Sequence, residues 1–181
     1  MYFIKPFTTL LCLLFVLAKA SQAQNSTLPL PTRFGYILFP GFQALDVFGP
    51  LDALNVLSSR FPMNLTLLSS TLDPVATDKV PWWRSPQGST FGESVLPTHT
   101  FSTAPELEVL LVPGGLGTRA PAPLLDETVA FIKNSYPKLR YLITTCTGSW
   151  LAARAGVLDG RRATSNKLAW ANVRFGCPYC C

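Results

Sequence analysis

Charged side chains are scarce in this chain, at 14% of 181 residues, with 15 Lys and Arg against 10 Asp and Glu. Arg161 and Arg162 are the only basic residues adjacent in sequence, so the sequence lacks the basic stripe that follows a phosphate backbone. We therefore expect a solvated surface and no nucleic-acid partner. The 48% of hydrophobic residues can build one domain with a core, and the length is too small for two.

Cysteine is sparse in the body of the chain. Cys12 lies near the start, Cys146 stands alone, and Cys177, Cys180 and Cys181 crowd the last positions. This distribution does not fit a disulfide framework. The tail cysteines have a dithiol spacing, but a redox dithiol needs its first cysteine at the start of a helix. We expect them instead to pair with one another or with another chain.

The sequence also lacks an apolar run long enough to cross a bilayer. The run Phe7–Ala18 is short, follows a lysine and precedes small residues, which predicts a signal peptide over residues 1–23. Removing these residues lowers the net charge from +5 to 13 − 10 = +3. The expectation is a secreted, extracellular protein without a stable membrane anchor. On that route Asn25 and Asn64 both fit the glycosylation pattern.

Apolar runs of strand length alternate with helical spacing over most of the chain. The strands are predicted at Phe34–Phe39, Asn64–Ser69, Leu107–Val112 and Tyr141–Thr145, with a short one at Arg162–Thr164. Between them, helices are predicted to begin at Pro50, near Leu125 and at Thr147, and another near Lys167. Residues 73–105 are irregular and predict turns and short strands, with Trp82-Trp83 either walling a pocket or covering a core edge.

This alternation predicts an α/β fold: a flavodoxin-like, doubly wound, mostly parallel sheet with helices on both faces. We divide the chain into a signal peptide (1–23), a linker (24–32), the domain (33–174) and a Cys-rich tail (175–181).

Cys146 ends an apolar run and is followed by Thr147 and Gly148, small residues that open a helix. This is the layout of a strand–nucleophile–helix elbow, in which the strand aims the thiol and the helix favours the thiolate. A buried structural cysteine has the same local sequence, because free cysteine is often buried. The elbow alone therefore leaves both interpretations open.

Two other features follow strands of the same predicted sheet. Asp46 comes after the first strand and the pair Gly114-Gly115 after the third. Because the carboxyl ends of parallel strands meet at one edge, Asp46, the glycine pair and Cys146 should face one cleft. Leu45 and Val47 flank Asp46, which predicts partial burial and a raised pKa of its carboxyl group.

Four motifs carry a family resemblance across residues 33–170. They are Phe39-Pro-Gly-Phe-Gln-Ala-Leu-Asp46-Val-Phe-Gly49-Pro50, Val112-Pro-Gly-Gly115, Cys146-Thr-Gly-Ser149 and Ala155-Gly-Val-Leu-Asp-Gly-Arg-Arg-Ala-Thr164. In this order and spacing the chain resembles the ThiJ/PfpI family of the class I glutamine-amidotransferase-like superfamily, and most of all its isonitrile hydratase-like branch.

The resemblance implies that Cys146 is the nucleophile, with Asp46 as acid and base beside it and Thr147 assisting by hydrogen bonds. Backbone N–H groups of Gly115 and Thr147 would form a polar hole, with Gly114 next to them. The implied reaction converts an isonitrile to an N-substituted formamide, with a small-molecule substrate and without a metal or a cofactor. A homodimer is left open.

Two departures from the family qualify this prediction. Many relatives have a histidine after the Ala-Thr pair, where this chain has Ser165, and its one histidine, His99, is expected at the surface. Activities that depend on histidine are therefore disfavoured. Relatives also continue past Thr164 with further elements, so we expect a domain incomplete at its C-terminal end. The alternatives are a redox-responsive or small-molecule-binding protein without enzymatic activity, or an inactive truncated product.

Overall fold

The structure is a computed structural model that describes residues 29–78, 80 and 87–171. The chain divides into residues 1–30 and residues 31–181, and the fold lies in the second unit. The signal peptide, Asn25, Trp82-Trp83 and the Cys-rich tail of the sequence analysis lie outside the described residues.

Five strands form one parallel sheet. Their spatial order is β5-β2-β1-β6-β7, where β1 is Arg33–Ile37, β2 is Asn64–Ser69, β5 is His99–Thr100, β6 is Val109–Val112 and β7 is Tyr141–Thr144. Two short strands, β3 (Val75–Ala76) and β4 (Ser94–Val95), pair antiparallel in a separate sheet. The four predicted core strands are confirmed, and so is the α/β fold.

The central strands β1 and β6 are buried on both faces. Phe34 to Ile37 and all of Val109 to Val112 are inaccessible to solvent or nearly so. Such strands need apolar side chains at every position, because helices cover both faces of a parallel sheet. This explains why continuous apolar runs, not alternating ones, marked them in the sequence.

Three helices follow the strands: α1 (Ala44–Ser58), α2 (Asp126–Ser135) and α3 (Gly148–Arg154). The step from β1 to β2 and the step from β6 to β7 run in opposite directions across the sheet. With right-handed crossovers, α1 and α2 therefore lie on opposite faces. Helices α2 and α3 pack against each other. This is the doubly wound arrangement that the sequence predicts.

The first helix differs from the prediction, which let it begin at Pro50. Helix α1 starts at Ala44 and runs without a break through Pro50. A proline inside a helix removes the hydrogen bond to the carbonyl four residues earlier, here that of Asp46. The hydroxyl of Tyr36 donates to this carbonyl oxygen instead, so a side chain from β1 supplies the missing donor and the helix continues.

Two further expectations are corrected. Arg162–Thr164 forms no strand, because the described part of the chain does not pair these residues with β7 or any other strand. The spacing of Leu51, Leu54 and Leu57 predicts that these side chains share one face of the helix, but Leu57 is 46% exposed. Three-residue steps fall short of one turn of 3.6 residues, so the second step rotates Leu57 away from the core. Near Lys167 the described residues form a short 3-10 helix, Lys167–Ala169.

Candidate functional site

The structure brings the predicted site residues together at the carboxyl edge of the sheet. Asp46 lies in the first turn of α1, after β1. Gly114 and Gly115 follow β6, and Cys146 and Thr147 join β7 to α3. The strands β1, β6 and β7 are neighbours in the sheet, which is why three segments distant in sequence meet at one point.

Cys146 has a backbone φ of 53° and is the one non-glycine residue with positive φ in the described chain. This left-handed conformation is uncommon for residues with a Cβ and marks a strained turn. Two hydroxyl groups support it: Ser149 Oγ and Ser165 Oγ donate to the Cys146 carbonyl oxygen, at 3.1 and 3.2 Å. The elbow predicted from the sequence is therefore present, although its helix is only 7 residues long.

Asp46 is buried, with 9% of its surface exposed. Its Oδ2 accepts a hydrogen bond from the N–H of Gly114 at 3.1 Å, and the side chain of Cys146 lies close enough to influence its pKa. Burial raises the pKa of Asp46, against the lowering effects of the Gly114 N–H and the Cys146 side chain. A raised pKa was predicted from two flanking apolar residues, of which Val47 is buried and Leu45 is 73% exposed.

The hydrogen bonds of the Gly114-Gly115 pair differ from those of the polar hole that the resemblance implied. The N–H of Gly114 is bound to Asp46, and the N–H of Gly115 donates to Thr147 Oγ1 at 3.0 Å. The Gly115 N–H therefore does not face an open site in this conformation. For the Thr147 N–H, no acceptor lies among residues 29–78, 80 and 87–171, so this amide is the donor that can point at a reacting group.

Thr147 is held by its neighbours and does not reach Asp46 through a direct hydrogen bond in the described structure. Its Oγ1 accepts from the Gly115 N–H and lies 3.1 Å from the hydroxyl oxygen of Thr118. Thr118 is fully buried and donates its hydroxyl proton to the Gly115 carbonyl at 2.8 Å. This network fixes the glycine loop against the elbow. Sequence reasoning missed Thr118, whose only signal was its place in the turn after the glycine pair.

Cys146 borders a cavity of about 420 Å³. Its walls include Arg162, Ser165 and Asn166, so its polar groups are hydroxyls, an amide and one guanidinium. A larger groove of about 690 Å³ lies between α1 and β2, lined by side chains such as Phe48 and Leu65. It contains none of the predicted catalytic or polar-hole residues, whereas Cys146 lines the smaller cavity.

The described residues hold no cluster of three or more side chains suited to bind a metal ion. In the same part of the chain, none of the helices has the length and apolar character needed to cross a membrane. His99 lies on β5, where its Nδ1 is 3.0 Å from the Thr98 hydroxyl.

The fold and the site define a class: a parallel α/β domain with a cysteine on a strained strand–helix elbow beside a buried carboxyl group. A family model described as the DJ-1/PfpI family matches residues 34–176. The chain belongs to the DJ-1/PfpI family, which confirms the resemblance seen in the sequence.

Individual relatives differ in what they do. An isonitrile hydratase from Pseudomonas putida is 36% identical over 141 residues, covering 77% of this chain and 53% of the relative. The HTH-type transcriptional regulator GbdR from Pseudomonas aeruginosa is 30% identical over 133 residues, covering 72% of this chain and 32% of the regulator. The chain thus spans about half the length of the hydratase and about a third of the length of the regulator.

A solved structure of a ThiJ/PfpI family protein from Pseudomonas syringae also matches. Its TM-score is 0.58 at 28% identity, and the match covers 80% of this chain and 57% of that one. The mostly parallel sheet with flanking helices is therefore shared with a solved member of the family.

The comparisons contradict the prediction of a secreted glycoprotein with a signal peptide. The family match begins at residue 34, and the relatives are bacterial proteins that give no indication of a signal peptide or of secretion. The misleading signal was a short apolar run after a lysine, which is a compositional pattern. The glycosylation of Asn25 and Asn64 depended on that route and stays an untested prediction. The absence of a nucleic-acid partner stays a prediction, because some relatives are regulators.

Proposed function

We propose that this protein is a cysteine-dependent hydratase of small nitrogen compounds, with isonitriles as the substrate class. The observation that carries the proposal is the buried carboxyl group of Asp46 beside Cys146, which lies on a strained elbow. The similarity to an isonitrile hydratase supports the choice of substrate. The raised pKa of Asp46 supports a carboxyl group that can hold a proton and release it during turnover.

The proposed reaction adds water to the isonitrile without any net oxidation or reduction. Sγ of Cys146 attacks the terminal carbon, which receives the proton that the thiol and Asp46 share. This forms a thioformimidate bound to the enzyme. Water then adds to the same carbon, and Asp46 passes one of its protons to the nitrogen. The C–S bond of this adduct breaks, the proton of its new hydroxyl group returns through Asp46 to the thiol, and an N-substituted formamide leaves. The Thr147 N–H would stabilise negative charge at the reacting centre.

The test measures formamide release from a panel of isonitriles by the wild type, Cys146→Ser and Asp46→Asn. We expect Cys146→Ser to lose turnover and Asp46→Asn to lose at least about 10²-fold, as when a general acid–base group is removed. Asp46→Asn should keep or increase Cys146 alkylation, because a nearby carboxylate disfavours a second negative charge. Because Arg162 lines the cavity, the panel includes isonitriles with a carboxylate.

Asp52→Asn is the matched control, since Asp52 is exposed on the same helix as Asp46. It should leave turnover and alkylation unchanged. A wild type that forms no formamide from any member of the panel contradicts the proposal. A folded Asp46→Asn variant with full turnover contradicts the assigned role of the carboxyl group.

The second candidate is a ligand-binding or redox-responsive domain without turnover. The similarity to the regulator GbdR favours it, because that relative is named for transcriptional control. In this case small nitrogen compounds would raise the melting temperature of the wild type but release no formamide. Mild peroxide would convert Cys146 to a sulfenic acid, and Asp46→Asn would change the rate of this oxidation without any turnover to lose. The homodimer stays a prediction that the size of the protein in solution would test.

A further inference from the structure

The hydroxyl of Tyr36 supports the helix turn that carries Asp46. Tyr36 lies in the central strand β1 and is fully buried. Its hydroxyl donates to the main-chain carbonyl of Asp46. Tyr36 therefore fixes the main chain at one member of the proposed reacting pair.

The surroundings of Tyr36 keep its hydroxyl protonated and therefore able to donate. Burial raises the pKa of Tyr36, and the nearby carboxyl group of Asp46 raises it further. The proton of this hydroxyl is therefore available to the Asp46 carbonyl.

The Tyr36 hydroxyl replaces a helical hydrogen bond that Pro50 cannot make. In a regular helix the N–H of residue 50 would donate to the Asp46 carbonyl. Pro50 has no N–H, and a buried carbonyl without a donor is costly. Without the Tyr36 hydroxyl, the first turn of α1 has to shift to find another donor, and Asp46 shifts with it.

We propose that Tyr36 is a positioning residue that holds the carboxyl group of Asp46 against the thiol of Cys146, by supplying the helix donor that Pro50 lacks. This inference rests on the proposed function only where turnover is measured. The competing explanation is that Tyr36 only fills the core, in which case its ring matters and its hydroxyl does not.

The experiment is a double-mutant cycle with Tyr36→Phe and Pro50→Ala in the full chain. Tyr36→Phe removes the donor and keeps the ring, and Pro50→Ala returns an N–H to the Asp46 carbonyl. The readout is the rate of Cys146 alkylation by iodoacetamide between pH 5 and 9. Mass spectrometry can follow it in the tryptic peptide 141–154, in which Cys146 is the only cysteine. Formamide release is measured beside it.

We expect Tyr36→Phe to lower turnover about tenfold and to move the alkylation rate at pH 7 toward that of Asp46→Asn. Pro50→Ala alone should stay within about twofold of the wild type, because a carbonyl oxygen accepts two bonds. In the Tyr36→Phe background, Pro50→Ala should recover most of the loss. Tyr141→Phe is the matched control, since Tyr141 is 53% exposed, and should change neither readout.

The proposal is overturned if Tyr36→Phe leaves the alkylation profile unchanged, or if Pro50→Ala has the same effect in both backgrounds. If Tyr36→Phe does not fold, Pro50→Ala should restore folding in that background, because the N–H of residue 50 then donates to the Asp46 carbonyl, and a double variant that stays unfolded overturns the proposal. A wild type without hydratase activity would defeat the proposed function alone. The alkylation cycle would still decide the role of Tyr36.

Discussion

Adding one methyl group at Gly148 should strongly lower the stability of the fold. It is the first residue of α3, and a Cβ built there lies 2.2 Å from the carbonyl oxygen of Val112 and 2.8 Å from that of Pro113. Both atoms belong to the main chain at the end of β6, so no side chain can rotate away. A carbon and an oxygen need about 3.3 Å, so the helix must move by about 1 Å.

We therefore expect Gly148→Ala to destabilise the fold by about 1–3 kcal/mol, the usual cost of forcing atoms into a packed interior. The displaced helix should take the neighbouring Cys146 and Thr147 with it, so alkylation of Cys146 should also change. The assay is urea unfolding followed by circular dichroism, together with the alkylation rate of the folded variant.

Gly49→Ala is the matched control, because Gly49 is also helical but has room. Its Cβ would lie 3.6 Å from the side chain of Leu45, an ordinary contact. Alanine is preferred over glycine inside a helix by about 1 kcal/mol, but the ring of Pro50 crowds the Cβ of the residue before it, so this variant should stay close to the wild type in stability. The same substitution should thus be costly at one helical glycine and nearly neutral at the other. A Gly148→Ala protein as stable as the wild type would refute the close approach of α3 to β6.

Two further predictions concern pH. Glu108 accepts hydrogen bonds from the main-chain N–H of Thr32 and from Arg140, which lowers its pKa from 4.5 to about 2. Glu108→Gln should therefore destabilise the fold at pH 7, and the difference from the wild type should vanish as unfolding is measured from pH 4.5 down toward pH 2. A difference that does not change over this range would contradict the lowered pKa. Burial raises the pKa of Asp46, so ionisation of this carboxyl group opposes folding. The free energy of unfolding of Asp46→Asn, relative to that of the wild type, should therefore rise from pH 4 to pH 7. A relative stability that does not change with pH would contradict the raised pKa.

The sequence predicted the sheet well because burial on both faces leaves a local mark. At Leu107–Val112 each side chain has to be apolar, whichever helix covers it. The meeting of Asp46, Gly114 and Cys146 followed from the same reasoning, since parallel strands place their carboxyl ends at one edge. These predictions needed only the order of the elements.

What the sequence did not reveal depends on contacts between distant atoms. Pro50 indicated a helix start, and it was the hydroxyl of Tyr36, on another element, that allowed the helix to begin earlier. The Gly115 N–H was expected to face the reacting group, but Thr147 Oγ1 lies closer and takes it. A hydrogen bond is decided by differences of less than 1 Å, and residue spacing carries no such information.

The backbone of Cys146 sets folding and chemistry against each other. A left-handed φ of 53° suits glycine or asparagine better than cysteine, so the chain gives up on the order of 1 kcal/mol to present a thiol there. Selection would maintain this destabilising backbone conformation at Cys146 only while the thiol is used. In a descendant that no longer needed the chemistry, glycine at position 146 would be the favoured replacement. The residue found there therefore records whether the activity is still under selection.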